Sequence, residues 1–307
     1  MNDLRSRWLA DAQQRLMDLR GPGPGWSYRV PGESASEPTA LAALALLAIN
    51  PEAKTSLDLS IGGADWLATI QRSDGAVGLS STHRTPEWPT PYALLLWSIL
   101  GRYSSPMARA KAWLLDHQGI VFEKPPGSPL GHDTTIAGWS WVEQTHSWLE
   151  PTAMSVLALR RSNEADHPRV KEGISLILDR AIPDGGWNFG NNIVFGRSLR
   201  PKPAPTGMAL LALSGKVERV SAIDRGLDYL EEELPKVRSA VSLGFGLLGL
   251  MAWGRTPASA NDWLEDAWPR VAQRPDGAIG TALLILGSTI RSISLLGLPI
   301  PKGATHG

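Results

Sequence analysis

A Pro-Thr pair followed by an apolar run recurs along this chain, and it limits the fold more than any other feature. Pro38-Thr39 leads into Ala40–Ile49, ten apolar residues in a row. Pro89-Thr90 precedes Tyr92–Leu100, Pro151-Thr152 precedes Ala153–Leu159, and Pro205-Thr206 precedes Met208–Leu213. The threonines lie 51, 62 and 54 residues apart. A period near fifty with fixed punctuation means one supersecondary unit per repeat. Proline suits a helix start, where its missing N–H is not needed. Runs apolar on every side predict helices buried on every side.

Gly-rich turns separate the units. Gln71-Arg72-Ser73-Asp74-Gly75-Ala76-Val77-Gly78 returns as Gln273-Arg274-Pro275-Asp276-Gly277-Ala278-Ile279-Gly280, six of eight positions identical. Asp184-Gly185-Gly186-Trp187 and Gly23-Pro24-Gly25-Trp26 hold the equivalent places elsewhere. Asp-Gly and Pro-Gly pairs are turn signals with a defined backbone preference. Asp74, Asp184 and Asp276 are read as structural on that ground.

Between the apolar runs lie amphipathic segments. Leu4, Trp8, Ala12 and Leu16 are spaced i, i+4; Val170, Ile174 and Leu178 repeat the pattern, and Val220, Ile223, Leu227 and Leu230 mark another stripe at i, i+3 and i+4. Each predicts a surface helix with one apolar stripe. The expectation is twelve helices, six amphipathic alternating with six apolar, the fifth apolar one at Ala240–Trp253 and the sixth beginning near Thr281. Six such pairs predict an all-α fold, an (α/α)6 toroid with inner helices around a central cavity, spanning residues 1–307 as a single domain. The shared Gly turn of the first and last repeats favours closure over an open solenoid.

Composition narrows the function. Thirty basic residues balance thirty acidic ones, so no charge surplus drives nucleic-acid binding. The chain has no cysteine, which excludes disulfides, Cys-ligated zinc and a thiol nucleophile. The start, Met1-Asn2-Asp3-Leu4-Arg5, lacks a signal-peptide apolar region, and no apolar stretch reaches the roughly 18 residues of a membrane span. These readings predict a cytoplasmic protein and leave peripheral membrane contact open. Tryptophan is abundant, 13 against 4 Phe and 4 Tyr.

The third repeat is the longest, with its surplus between 119 and 150. Its second half, from Gly131 to Glu150, holds Trp139, Trp141 and Trp148, two histidines, and the carboxylates Asp133, Glu143 and Glu150. Long loops rich in such groups are often functional. Asp133 is the expected general acid, on the premise that a Trp-lined pocket raises its pKa, with His132 orienting it. A turn-capping role through Thr135 is the alternative. Glu143 and His146 form an i, i+3 acid–base pair if helical, with Glu150 beside them; a metal site from the three matches no strong motif. Trp26, Trp88 and Trp187, at other repeat mouths, are expected to join Trp139, Trp141 and Trp148 in a π-rich wall, with Asn188 in reach of a ligand. Core packing is the alternative for each tryptophan. No cofactor and no metal are expected.

Asp65-Trp66-Leu67 … Gln71 … Asp74-Gly75 and Ala112-Trp113-Leu114 … Gln118-Gly119 resemble the QW repeat of the terpene cyclase/prenyltransferase superfamily, as in squalene–hopene cyclases. The resemblance implies an α/α toroid whose Gln and Trp tie outer helices together, and an isoprenoid or other small hydrophobic substrate. The Asp-x-Asp-Asp acid motif of class II cyclases is missing, and the prenyltransferase zinc site needs a cysteine. Three readings stay open: a terpene-cyclase-like enzyme with acid-initiated chemistry, an (α/α)6 carbohydrate-active hydrolase or lyase using paired carboxylates, and a non-catalytic toroid that binds lipid or a partner. The oligomeric state is left open.

Overall fold

The computed structural model describes residues 2–300; Met1, residues 301–307 and the side chains of residues 2–6, Leu4 among them, lie outside it. The chain alternates outer and inner helices. They run α1 (Asn2–Asp18) and α2 (Ser36–Ile49), α3 (Lys54–Ile70) and α4 (Thr90–Leu100), α5 (Ser104–Asp116) and α6 (Leu149–Arg161). The second half continues with α7 (Pro168–Asp179) and α8 (Pro203–Leu213), then α9 (Ser221–Glu233) and α10 (Ala240–Ala252). The last pair is α11 (Ala260–Ala267), continued after a break at Pro269 by α12 (Pro269–Ala272), and α13 (Ala278–Gly287). The inner helices α2, α4, α6, α8, α10 and α13 each pack on the next, and α13 packs back on α2. The ring is therefore closed, as the repeats predict. The inner helices are buried along almost their whole length, whereas α7 and α9 bury one stripe each.

The Pro-Thr pair has a specific job. Each threonine hydroxyl accepts a buried backbone N–H from the preceding Gly turn: Trp26 to Thr39 (2.9 Å), Val77 to Thr90 (2.9 Å), Trp139 to Thr152 (3.0 Å) and Trp187 to Thr206 (2.9 Å). The turn is thereby pinned to the first turn of the inner helix. In three repeats the indole N–H then donates to a carbonyl near the end of an outer helix: Trp26 to Leu16, Trp139 to Leu114 and Trp187 to Ile177. The ring drives between outer helices, where a glycine leaves room. A methyl added at Gly173 would meet Trp139 at 2.8 Å, and one at Gly226 would meet Trp187 at 2.6 Å. Gln71 ties two outer helices, its amide donating to Gly75 O and to Pro106 O, each at 2.9 Å.

Replacing Thr206 by Val keeps shape but leaves the buried Trp187 N–H without an acceptor. An orphaned buried donor costs about 1–3 kcal/mol. Urea unfolding of Thr206→Val should show that loss; an unchanged midpoint would mean the hydroxyl does not pin the turn.

After α13 the chain turns across the C-terminal ends of the inner helices. The short helix α14 (Arg291–Leu295) packs on α2 and α10. Arg291 Nη1 donates to Ile49 O (2.9 Å) and Arg161 Nε to Leu295 O (3.2 Å). Ile293, Leu296 and Leu298 are buried there, and a methyl at Gly215 would meet Pro299 at 2.7 Å. This segment forms a floor under the ring. The opposite end, at the inner-helix N-termini, is the mouth.

Candidate functional site

At the mouth, inside the ring, lies a cavity of about 350 Å³. It is lined by the first turns of α2, α6, α8 and α10 and by one face of α13. Its walls are mainly apolar, with Phe189, Met208, Val241, Phe245, Ile279 and Leu283. Two carboxyl groups reach it, Glu37 and Glu150, each in a Glu-Pro-Thr sequence at the start of an inner helix.

Both carboxyls are shifted in the same direction. Burial pushes the Glu150 pKa up to about 8, and the nearby charge of Glu37 adds to the rise. Burial pushes Glu37 up to about 7. Helix N-termini favour the ionised form, and each carboxyl also accepts a tyrosine hydroxyl. Tyr92 donates to Glu150 Oε1 at 3.3 Å, and Tyr28 bonds to Glu37. Desolvation outweighs these opposing effects, so the site holds a proton near neutral pH. The phenols of Tyr28 and Tyr92 are raised too, by burial first and by the carboxylates next, and remain neutral donors.

The sequence-predicted site residues divide into three groups. Trp26, Trp139 and Trp187 are buried in the ring's packing, as described above, and do not face the cavity. They were expected in a π-rich wall; no tryptophan is among the residues that line this cavity. The reason is their indole N–H, which the outer-helix carbonyls claim. Asn188 bonds locally, its Oδ1 accepting Gly190 N–H at 3.0 Å. Trp88 stands edge-on between Tyr92 and Trp141, with ring centroids 5.8 and 4.8 Å apart, so those two tryptophans buttress Tyr92.

Asp133 has a different environment from the one expected. It is exposed, and its Oδ1 accepts Thr135 N–H (2.8 Å) and Thr135 Oγ1 (2.7 Å). Those bonds hold its pKa below the usual carboxylate range. This is a turn cap, and the raised-pKa premise for Asp133 as general acid fails. Glu143 is exposed, and His146 is exposed against Phe122, with ring centroids 5.3 Å apart. Among the described residues no three His, Asp or Glu side chains converge in the manner of a metal site, Glu143, His146 and Glu150 included. His132 and Trp148 line a second, smaller cavity outside the ring. Of the predicted catalytic set, only Glu150 reaches the central cavity.

Sequence reasoning missed Glu37, Tyr28 and Tyr92. The available signal was the tripeptide Glu-Pro-Thr, present at 37–39 and again at 150–152.

No protein-family model matches the sequence, and no curated protein matches it. Solved structures do. The type II terpene cyclase MstE from Scytonema superposes with a TM-score of 0.63 at 14% identity, over 95% of this chain and 99% of that one. A protein from Actinoplanes gives 0.60 at 18% identity, over 89% and 82%. A form of MstE in complex with geranylgeranyl dihydroxybenzoate, its substrate, gives 0.59 at 15% identity, over 89% and 80%. At these identities the likeness shows the fold alone: the chain has a terpene-cyclase-like helical toroid. No described helix is long and apolar enough to cross a membrane.

Proposed function

We propose that this toroid is a terpene-cyclase-like enzyme that takes a linear isoprenoid into its central cavity and starts ring closure by protonating an alkene, with Glu150 as the acid. The observation that carries the reading is a pair of carboxyls, Glu37 and Glu150, with pKa values raised by burial, facing a cavity whose remaining lining is mainly apolar, with Lys202, Ser239 and Ser242 as its other polar residues. Burial keeps the carboxyl protonated near neutral pH, so a proton is present to donate, and an apolar site offers little water to compete for it. The volume of about 350 Å³ falls in the small-molecule range. Phe189 and Phe245 offer π faces to a passing cation. One solved neighbour, MstE, holds geranylgeranyl dihydroxybenzoate as its substrate in the same fold, which supports the substrate class.

The chemistry balances without a cofactor. The Glu150 O–H bond breaks, its proton forms a C–H bond at the alkene, and the π electrons leave a carbocation. A second alkene attacks that cation and closes a ring. Glu37, once ionised, takes a proton from the carbon beside the final cation. The product is an isomer of the substrate.

The test is incubation with linear polyprenyl alcohols and their aryl derivatives in D2O. The expected result is a cyclised isomer carrying one deuterium, seen by mass spectrometry. Failure to turn over any polyprenyl compound, with hydrolysis of a glycoside instead, would move the assignment to the carbohydrate-active reading. The apolar lining speaks against that reading, since sugars need many polar partners.

A further inference from the structure

A second cavity, of about 200 Å³, lies outside the ring between the 119–150 insertion and the loop after α7. Its apolar walls include Phe122, Leu130, Ile136 and Trp148. Four of its polar lining side chains are almost wholly buried: Thr134 and Ser147, both hydrogen-bonded to backbone, and the titratable Arg180, 6% exposed, and His132, 4% exposed.

Neither titratable group is satisfied. Arg180 Nε finds no hydrogen-bond partner among the described residues, and Nη1 reaches Gly190 O only at 3.5 Å. The nearest carboxylate oxygen, Asp179 Oδ2, is 3.6 Å from Nε. Both Asp179 oxygens already accept the Asp133 N–H, at 3.1 and 3.2 Å. His132 Nδ1 is also buried without a partner. Burial, with the charges of Arg180 and Lys124, holds the imidazole pKa near 4, so the ring is neutral. Lys124 donates to His132 O (3.1 Å) and Leu130 O (3.2 Å) at one rim. The Asp179 carboxylate pairs with the guanidinium only at 3.6 Å, so a buried Arg180 whose Nε lacks a hydrogen bond stands to gain from an anion that supplies one.

We infer that this cavity binds a small organic carboxylate with a compact apolar body, an aryl carboxylate being the best fit. The Arg180 fork would take the carboxylate, and Phe122, Leu130, Ile136 and Trp148 would enclose the body. The size agrees, since an apolar cavity of about 150 Å³ holds benzene. Apolar walls disfavour a fully hydrated anion such as phosphate, and the guanidinium disfavours an amine. The inference is independent of the central cavity and of its reading.

The experiment uses the full chain, calorimetry and 19F NMR, with 4-fluorobenzoate, 4-fluorobenzyl alcohol and inorganic phosphate as probes. The benzoate should bind 1:1 and at least about tenfold more tightly than the alcohol, the margin expected of a charge-assisted bond. Arg180→Gln should weaken the benzoate by about tenfold or more and leave the alcohol within about threefold. Ile120, at the rim and 46% exposed, gives a variant that spares the core: Ile120→Trp should block both organic probes. Glu150→Gln should leave benzoate binding unchanged. Benzoate binding no tighter than the alcohol, phosphate binding as tightly as benzoate, or benzoate affinity untouched by Ile120→Trp would each overturn the inference. The probe ranking and Ile120→Trp decide the matter even if Arg180→Gln fails to fold.

Discussion

Glu150→Gln should lose turnover by about 10²- to 10⁴-fold while still binding the polyprenyl substrate, the range usual for loss of a general acid. The amide keeps the shape of the side chain and can still bond to Tyr92, but it has no acidic proton to give. The native rate should fall as pH rises through about 8, where Glu150 ionises. The same variant carries a stability signature of opposite sign. The folded pKa lies above the ordinary value of 4.5. Between about pH 4.5 and 8 the folded chain therefore holds a proton that the unfolded chain has released. Native stability is greatest at the low end of that window and declines as pH rises through it. Glutamine does not titrate. Glu150→Gln should thus match the native protein near pH 5 and exceed it at pH 8 to 9 by up to about 4 kcal/mol, since about three pH units of that window separate the two conditions. Denaturant titrations at the two pH values, beside the turnover assay, check both halves. A variant as active as the native chain would remove Glu150 from the mechanism. A stability difference independent of pH would show that the carboxyl is not desolvated.

Gly207→Ala should be the most destabilising single-methyl change in the ring. Gly207 sits in α8 where that helix crosses α10, and the added Cβ would lie 2.1 Å from Phe245 O and 2.7 Å from Gly246 N. These are backbone atoms of a buried helix, so no side chain can swing away. Gly249 faces the same crossing from the α10 side. Relief requires the two helices to separate, which opens gaps along the whole seam. Overpacking commonly costs about 1–3 kcal/mol; a clash with rigid backbone belongs at or above the upper end. Gly62→Ala in α3 is the control, because its new methyl meets nothing nearer than Arg20 Nη2 at 3.6 Å. That change should be neutral or stabilising by up to about 1 kcal/mol. Thermal unfolding of both variants tests the pair; similar melting temperatures would mean the seam can yield.

The architecture was legible because it rests on burial, and burial writes itself into the sequence as periodicity. Ala40–Ile49 is apolar all round and is enclosed all round. Ile223, Leu227 and Leu230 are the buried residues of α9 together with Gly226, whereas Val220, expected in the same stripe, precedes the helix and is exposed. The break at Pro269 and the start of α13 at Ala278 were less clear, since the last repeat lacks the Pro-Thr signal. The site was harder to read. A tryptophan beside a Gly turn looks the same whether its indole faces a cavity or hydrogen-bonds a helix end, and Trp187 does the second. Asp133 stands in a segment crowded with chemistry, yet it points to solvent because Thr135 satisfies it locally. Glu37 and Glu150 lie 113 positions apart and meet only because the ring closes. Their shared tripeptide hints at a common role, but proximity across that distance is a property of the fold.

The floor beneath the ring sets the traffic of whatever occupies it. Among the described residues, 288–300 lie across the inner-helix C-termini and cover that end, so the mouth is the side on which the central cavity opens. A long flexible guest must enter end-first, and the end that goes in first is the last to come out. Water expelled by its arrival leaves through the same opening, against the incoming flow. A guest that coils into a compact, rigid shape inside must pass the doorway in a bulkier form than it entered. On the proposed cyclisation, departure rather than bond making is the expected bottleneck, and widening the rim at Val241 or Phe189 should hasten the exit without touching either carboxyl.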